Sequence, residues 1–433
     1  MSPRNYTELD QNQILQRSFD EEKDLVRVSS DFPEEMKDAF SRLRVSSVIG
    51  IIDNKNVLTS NQDQFEELTA LGGSIVYSQT SSSVDLSVGT TSGAYAIRQS
   101  KKRAPYVPGK SHLITMTGVI GPSKPGVVSR IGYFDDNDGL FFQMSETGLA
   151  LVVRSSVSGS PVDEVFPQSS WNYDKVDGSG ASGMVLDPTK CQIFEIDFQW
   201  LGVGRVRFSV FNEDEIVVLH EDFHANVEAV PYMKTPTLPV RYEIRNTAES
   251  ASSSSIKEIC SSVMSEGGYG LPGRTFSAQS VAYRNVGTTF TPVFAVRLTS
   301  SFNGTENRKL LKFLSSTFLA DSGTAVIRIK KVYSPSGIVG SWAAIDSTSA
   351  AEYSTDISAY SGTSQVIDTM FSFGGAGLGT GSPTQEATLD YTSENHYLYQ
   401  NYDSTNSELF VIEARSLTGT VNLLSSLKWV EFK

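Results

Sequence analysis

Hydrophobic and polar positions alternate in short runs between Gly73 and Asn246, which is the period of a half-buried β-strand. Clusters of glycine, serine and threonine separate these runs and favour turns. A hairpin is predicted where Ile131–Phe134 and Leu140–Met144 flank an Asp/Asn/Gly turn. The other predicted strands are Ser74–Ser78, Ser83–Val88, Ala94–Arg98, His112–Val119, Leu149–Arg154, Ile193–Leu201, Arg205–Phe211, Ile216–His220 and Leu238–Arg245. Their length and spacing predict an antiparallel sandwich over residues 73–260.

A second β-rich unit follows the glycine-rich stretch at 267–270. Its predicted strands are Ser277–Tyr283, Pro292–Leu298, Ala325–Val332, Leu409–Ala414 and Val421–Val430. Residues 373–383 have the composition of a flexible loop. The domain boundary is expected near residues 246–272, so the pattern predicts a second antiparallel β-sandwich domain over residues 261–433.

Residues 1–72 lack a sustained strand pattern and are rich in Asp, Glu, Asn and Gln. A short helix is predicted from Asp31, which would cap it, with Pro33 in its first turn and Glu34 completing a capping box. Met36, Phe40 and Leu43 would lie on one face of this helix. A second short helix is predicted near Gln62–Leu71. Because such an arm buries little apolar area by itself, we expect it to dock on another surface.

The chain is acidic, with 36 Lys and Arg residues against 49 Asp and Glu residues and a net charge of −13. A nucleic-acid partner is not expected, because such proteins carry a basic domain or stripe. No run approaches the ~20 apolar residues that span a membrane, and the N-terminus has no apolar signal region. Cys191 and Cys260 are expected to be free thiols, as in a protein assembled in a reducing cytoplasm.

The segment from His220 to His224 spells HExxH, the zinc-protease pattern, which needs both histidines on one face of a helix. Here it continues the predicted strand Ile216–His220, in which positions i and i+4 lie about 13 Å apart. Two histidines at that separation cannot share an ion with bonds near ~2.1 Å. A role at the edge of a strand is predicted instead, and we expect no metal, no cofactor and no catalytic residue.

The run Glu195-Ile-Asp-Phe-Gln-Trp200 resembles the EIDFE signature of retaining β-glucanases with a concanavalin-like sandwich. In those enzymes, alternate carboxylates project from one strand face, one as nucleophile and the last as acid/base. Gln199 occupies the last position and cannot donate a proton as an acid. The resemblance therefore implies a concanavalin-like (jelly-roll) sheet rather than a hydrolase. It leaves one binding alternative, a glycan-recognising face formed by Glu195, Asp197, Gln199 and Trp200.

Two charged runs have structural interpretations. The acidic run Asp135–Asp138 misses the calcium-loop register, and Asp138-Gly139 is a hairpin dipeptide, so a polar turn is favoured over a surface calcium. The basic run from Lys101 to Arg103 is typical of a solvated edge. In an acidic protein, it is also suited to an acidic neighbouring subunit.

The segment Lys37-Asp-Ala-Phe-Ser-Arg-Leu-Arg-Val-Ser46 resembles the "DAFGRLRVS" segment of structural proteins from tailed phages, especially aquatic ones, and some large DNA viruses. Ser41 stands where those proteins often have glycine. The further segments that resemble this family are Tyr106–Ser111, Ile131–Phe142, Ile193–Phe208, His220–Asn226, Tyr242–Arg245, Val296–Leu298, Phe302–Gly304 and Glu413–Leu417. The resemblance implies a β-rich virion protein on the particle surface or in a neck, tail, fibre or vertex.

The sequence therefore predicts a virion structural protein, built into the particle in the host cytoplasm through its N-terminal arm. The predicted anchor consists of Phe40, Leu43 and Val45, with Arg42 and Arg44 available for acidic partners. Its partners would be other virion proteins and further copies of itself. A trimer is favoured, because fibre and vertex proteins commonly obey cyclic symmetry. Host attachment through a surface glycan and decoration of a vertex or capsid remain the alternatives.

Overall fold

The computed structural model describes residues 37–38, 43–44, 47–213, 215–267, 273–321, 323–374, 387–390 and 396–432, together with two short strands at 19–20 and 25–26. Strands are the main secondary structure of the described chain, which also has a 3₁₀ turn at Gln168–Ser170. No helix within these ranges is long and apolar enough to cross a membrane.

The strands up to residue 266 are β1 (Phe19–Asp20), β2 (Leu25–Val26), β3 (Val48–Lys55), β4 (Phe65–Ala70), β5 (Ser74–Ser78), β6 (Ser83–Val88), β7 (Tyr95–Ser100), β8 (His112–Val119), β9 (Val127–Phe134), β10 (Gly139–Ser145), β11 (Gly148–Ser155), β12 (Val162–Pro167), β13 (Gln192–Phe198), β14 (Val206–Asn212), β15 (Glu215–Asp222), β16 (Val240–Asn246) and β17 (Ser254–Glu266).

The later strands are β18 (Gly273–Gln279), β19 (Arg284–Val286), β20 (Thr291–Leu298), β21 (Ser301–Phe302), β22 (Thr305–Glu306), β23 (Leu310–Ala320), β24 (Gly323–Val332), β25 (Ser336–Val339), β26 (Ala343–Ala344), β27 (Ala351–Ser354), β28 (Ala359–Ser361), β29 (Ser364–Gly374), β30 (Ala387–Asp390), β31 (Tyr397–Leu398), β32 (Leu409–Ser416) and β33 (Val421–Phe432).

The first sandwich packs a seven-stranded sheet against an eight-stranded one. The seven-stranded sheet has the order β12-β11-β10-β9-β16-β7-β4, and the eight-stranded one the order β15-β14-β13-β8-β17-β6-β5, with β3 also paired to β17. Neighbouring strands run antiparallel. Both sheets contribute to one apolar core, which includes Ile114, Phe142, Phe194, Phe208 and Tyr242. The predicted antiparallel sandwich is therefore present.

The second sandwich also has two sheets, each of six strands. One has the order β18-β33-β23-β30, with β19 on β33 and β31 on β23, and the other has the order β26-β27-β20-β32-β24-β29. Phe294, Phe313, Phe410 and Trp429 lie in the core that the two sheets share. A second β-unit was predicted, and the structure has one.

The structure corrects the predicted content of the arm. The helix expected near Gln62–Leu71 is wrong, because Phe65–Ala70 is a strand that pairs with β7. Val48–Lys55 is also a strand of the first sandwich, so sandwich strands occupy part of the segment assigned to the arm. At the other predicted limit, β17 runs from Ser254 to Glu266 and crosses residue 260 within one strand. Most of the helix predicted from Asp31 lies outside the described residues.

Candidate functional site

Strand β13 separates its side chains between the two faces of the eight-stranded sheet, as the period of two requires. Phe194, Ile196 and Phe198 enter the core of the first sandwich. Glu195 and Asp197 project from the opposite face, which we call the outer face. The apolar and acidic side chains of this strand therefore lie on opposite faces, and two carboxyl groups lie side by side on the outer face.

Gln199 and Trp200 follow β13, and Trp200 does not join these two carboxyl groups in one site. The indole Nε1 of Trp200 donates a hydrogen bond to the carbonyl of Met233 at 3.0 Å, and its ring meets that of Tyr106 edge-on. The carbonyl of Gln199 accepts a hydrogen bond from the hydroxyl of Tyr232 at 3.0 Å. Trp200 thus packs against the core, and Glu195 and Asp197 are the two predicted glycan-site residues on the outer face.

Arg44, a predicted anchor residue, lies directly over these carboxyl groups. Its Nη1 lies 2.9 Å from Oε1 of Glu266, and its Nη2 pairs with Oδ2 of Asp197. Its Nε donates to the carbonyl of Lys37 at 3.1 Å. The cation that was expected to serve an acidic partner therefore binds two acids of its own chain.

Arg207 of β14 and Arg205, just before β14, bind the backbone of residues 37 and 38. Nη1 of Arg207 donates to the carbonyl of Lys37 at 3.0 Å, and Nη2 of Arg205 donates to that of Asp38 at 2.9 Å. Both arginines also pair with Oε1 of Glu221, at 2.7 Å and 3.2 Å. We call residues 37–38 and 43–44, held by these contacts, the N-terminal clasp.

The clasp contains an antiparallel β-bridge between Lys37 and Leu43, so the helix predicted across these positions is wrong there. Leu43 is 38% exposed and is a weak apolar anchor on this chain. The other predicted anchor residues, Phe40, Arg42 and Val45, lie outside the described residues. The sequence predicted that this segment anchors the chain to other proteins, and the structure places residues 37–38 and 43–44 on the sheet of the chain itself.

Burial beneath the clasp changes the protonation of the outer-face carboxyl groups. Asp197 is fully buried and Glu195 is 3% exposed. Burial raises the pKa of Asp197 to about 8, against the attraction of Arg44, and Glu266 raises it further. Burial likewise raises the pKa of Glu195 to about 7, against Arg44 and Arg207. Oδ1 of Asp197 and Oγ of Ser209, which lies opposite Glu195 on β14, are buried without a hydrogen-bond partner among the described residues.

These raised pKa values predict a pH dependence of stability. A carboxyl group whose pKa is higher in the folded chain stabilises the fold below its unfolded pKa, and this contribution disappears as the pH rises through the folded value. The melting temperature of Asp197→Asn should therefore rise relative to wild type between pH 6 and pH 9. Calorimetric melts of both proteins across this range would measure it, and a flat difference would contradict the raised pKa of Asp197.

The HExxH segment lies on and just after β15, as predicted, and its side chains have separate partners. His220 packs against the ring of Phe166. Glu221 binds Arg205 and Arg207, the two arginines that hold the clasp. Nδ1 of His224 lies 2.7 Å from the carbonyl of Gly204, and its Nε2 lies 2.8 Å from Oδ2 of Asp222. Across the described ranges, no group of three His, Cys, Asp or Glu side chains is arranged to hold a metal ion.

The basic run and the acidic turn lie at the contact between the two sandwiches. Arg103 lies 3.3 Å from Glu306 of the second sandwich, and Lys102 lies over the ring of Tyr397. From the other side, Nη2 of Arg308 reaches Oδ2 of Asp135 at 2.6 Å. The basic run therefore meets acids of its own chain, and the acidic hairpin turn binds an arginine of the second sandwich.

No family model matches this chain, and no curated protein matches it. Among solved structures, it is similar to a legume lectin-like domain from Entamoeba histolytica, with 9% identity, 50% of this chain and 98% of that domain covered, and a TM-score of 0.31. It is also similar to the Bacillus licheniformis β-glucanase, with 8% identity, coverage of 52% and 98%, and a TM-score of 0.31. A glycosyl hydrolase family 16 protein from Mycobacterium smegmatis has 10% identity, coverage of 50% and 98%, and a TM-score of 0.33.

Proposed function

We propose that this chain is a structural component of a virus particle, at its surface or associated with its tail, and that residues before β3 attach it there. The clasp carries the proposal. Arg44, Arg205 and Arg207 fix residues 37–38 and 43–44 on the first sandwich, so the chain before Lys37 starts from a defined point on a rigid body. The resemblance of residues 37–46 to a segment of phage structural proteins supports the same function.

Two truncations test the attachment. One lacks residues 1–36 and keeps the clasp, and the other lacks residues 1–46 and removes it, while both retain β3 from Val48 onwards. Both should melt cooperatively, because the strands of the two sandwiches are intact. Neither should be found in particles purified on a density gradient and analysed by mass spectrometry, whereas the full-length chain with the same C-terminal tag should. Normal incorporation of either truncated chain would contradict an attachment role for the residues that it lacks.

Recognition of a host glycan is the second candidate, and the unpaired atoms under the clasp favour it. Oδ1 of Asp197 and Oγ of Ser209 would gain partners from a hydroxyl-rich ligand if the clasp moved away. This second candidate function assumes that the first sandwich is concanavalin-like. On a glycan array, the chain lacking residues 1–46 should bind where the full-length chain does not, and Asp197→Ala should abolish binding. Equal binding by both chains would contradict a site beneath the clasp.

We propose no enzymatic activity, because Gln199 occupies the position of the catalytic acid/base in the β-glucanases whose signature this segment resembles. Incubation of the full-length and truncated chains with β-glucans, with and without a chelator, tests this directly, and specific turnover would contradict it.

Assembly as a trimer, placement in the virion and attachment to other virion proteins belong to the proposal of a structural virion component. Particle reconstruction would test them together.

A further inference from the structure

A second candidate site lies between the two sandwiches, away from the clasp. It is a cleft of about 560 Å³, within the range of about 300–1,000 Å³ that small-molecule sites occupy. The first sandwich contributes residues around β4 and Lys101, and the second contributes Tyr333 and the segment from Tyr399 to Glu408. Clefts at domain contacts are preferred places for ligands, because two surfaces converge there.

Two buried acceptors that line the cleft have no hydrogen-bond donor. Gln400 and Glu408 are both 4% exposed, and Oε1 of each lacks a partner. Nε2 of Gln400 donates to the carbonyl of Thr299 at 2.6 Å, and Oε2 of Glu408 lies 2.8 Å from Nζ of Lys331. Nζ of Lys101 forms a long ion pair with Oε1 of Glu408, at 3.9 Å, which is beyond hydrogen-bond distance. A buried acceptor without a donor destabilises the fold, and a ligand that supplies donors would remove that cost.

The charges around the cleft restrict the ligand. Its lining carries five carboxyl side chains, those of Asp63, Glu66, Glu67, Asp403 and Glu408, which repel phosphate and other anions. The ammonium groups of Lys101 and Lys331 both lie over the ring of Tyr333, at 5.3 Å and 5.0 Å from its centre, so cations of the chain itself already occupy the aromatic position that a cationic ligand would use. These contacts favour a neutral ligand that is rich in hydrogen-bond donors.

Three tyrosines, Tyr333, Tyr399 and Tyr402, complete the lining. Aromatic rings provide apolar contact area for the C–H faces of a ligand whose edges carry hydroxyl groups. We propose that this cleft binds a neutral saccharide of one or two sugar units. The aromatic side chains would pack against the sugar, and Gln400 and Glu408 would accept its hydroxyl hydrogen bonds. This site is separate from the outer face of the first sandwich and does not depend on the clasp.

The test uses the full chain on a printed array of neutral, sialylated and sulfated oligosaccharides, with spermine titrated separately. A neutral oligosaccharide should bind, and its affinity should then be measured by calorimetry for wild type and variants. Tyr333→Ala should weaken binding at least tenfold, and Glu408→Gln should weaken it at least fivefold. Tyr283→Ala is the matched control, because Tyr283 is a half-exposed tyrosine of the second sandwich outside the cleft, and it should bind as wild type does.

Binding of anionic glycans or spermine alone, or of no ligand, would overturn the proposal, as would neutral binding that Tyr333→Ala leaves intact. If Glu408→Gln does not fold, Tyr333→Ala decides the outcome, because Tyr333 is only half-buried. The chain lacking residues 1–46 should keep its affinity at the cleft. Binding that appears only in that chain, and not in the full chain, would instead place the saccharide at the outer face of the first sandwich and overturn the cleft as its site.

Discussion

Arg44→Ala will lower the free energy of unfolding by about 3 kcal/mol, the low end of the range for breaking a buried ion pair. The substitution removes the guanidinium from Asp197, which is fully buried, and from Glu266, whose side chain is 5% exposed. The cost stays at the low end because Asp197 can neutralise itself by taking up a proton, as its raised pKa indicates. Because Asp197 loses this proton as the pH increases, the free energy of unfolding that Arg44→Ala costs should also increase with pH.

Chemical unfolding of Arg44→Ala at pH 6 and pH 9 measures both effects. Lys257→Ala is the control, because Lys257 and Asp85 form an exposed ion pair that should contribute only about 0–1 kcal/mol. Adding Asp197→Asn to Arg44→Ala should restore part of the loss, since the amide carries no charge that needs a cation. An Arg44→Ala protein that is as stable as the Lys257→Ala control would show that Arg44 does not hold the clasp on the sheet.

The strands that the sequence predicted best have uninterrupted alternation. His112–Val119 is present with the predicted bounds, and the predicted hairpin places Gly139 opposite Phe134. Alternation on β13 also assigned Glu195 and Asp197 to the face away from the core. The local sequence is sufficient to predict these strands, because burial of one face produces a regular alternation of apolar and polar residues.

Three strands were missed or predicted incorrectly, and in each case an irregular register or a helix-favouring composition explains the error. In β23, an irregularity between Phe313 and Ser315 shifts the register, and β17 has similar shifts, so neither keeps a period of two along its length. β4 reads Phe-Glu-Glu-Leu-Thr-Ala and favours a helix by composition, but pairing with β7 overrides that preference. Local patterns cannot show such long-range pairing.

Two separate predictions, an anchor at residues 40–45 and an acidic face at residues 195–200, meet in one contact. Arg44 and Asp197 are 153 residues apart in the chain, and nothing in the local sequence joins them. The same holds for the basic run and the acidic turn, whose partners Glu306 and Arg308 come from the second sandwich. Sequence reasoning identified the charged groups, and the fold determines that they neutralise each other within the chain.

Arg308→Ala will uncouple the two sandwiches. Arg308 holds Asp135 at 2.6 Å, and Asp135 is 4% exposed, so the substitution leaves a buried carboxylate without this cation. Other contacts join the sandwiches as well, among them Arg103 with Glu306 at 3.3 Å and the backbone N–H of Tyr402 with Oε2 of Glu66 at 2.9 Å, but neither supplies a cation that replaces Arg308 at Asp135. We expect a loss of about 3 kcal/mol from the contact between the sandwiches, as for other broken buried pairs.

Scanning calorimetry should then show two separated transitions where wild type shows one, because each sandwich has its own core and can unfold independently once the contact weakens. Arg245→Ala is the matched control, since Arg245 is 37% exposed and its partner Glu243 keeps Arg130 and Arg241. That variant should keep a single transition near the wild-type temperature. A single unshifted transition in Arg308→Ala would contradict the coupling, because the sandwiches would then remain joined without this ion pair.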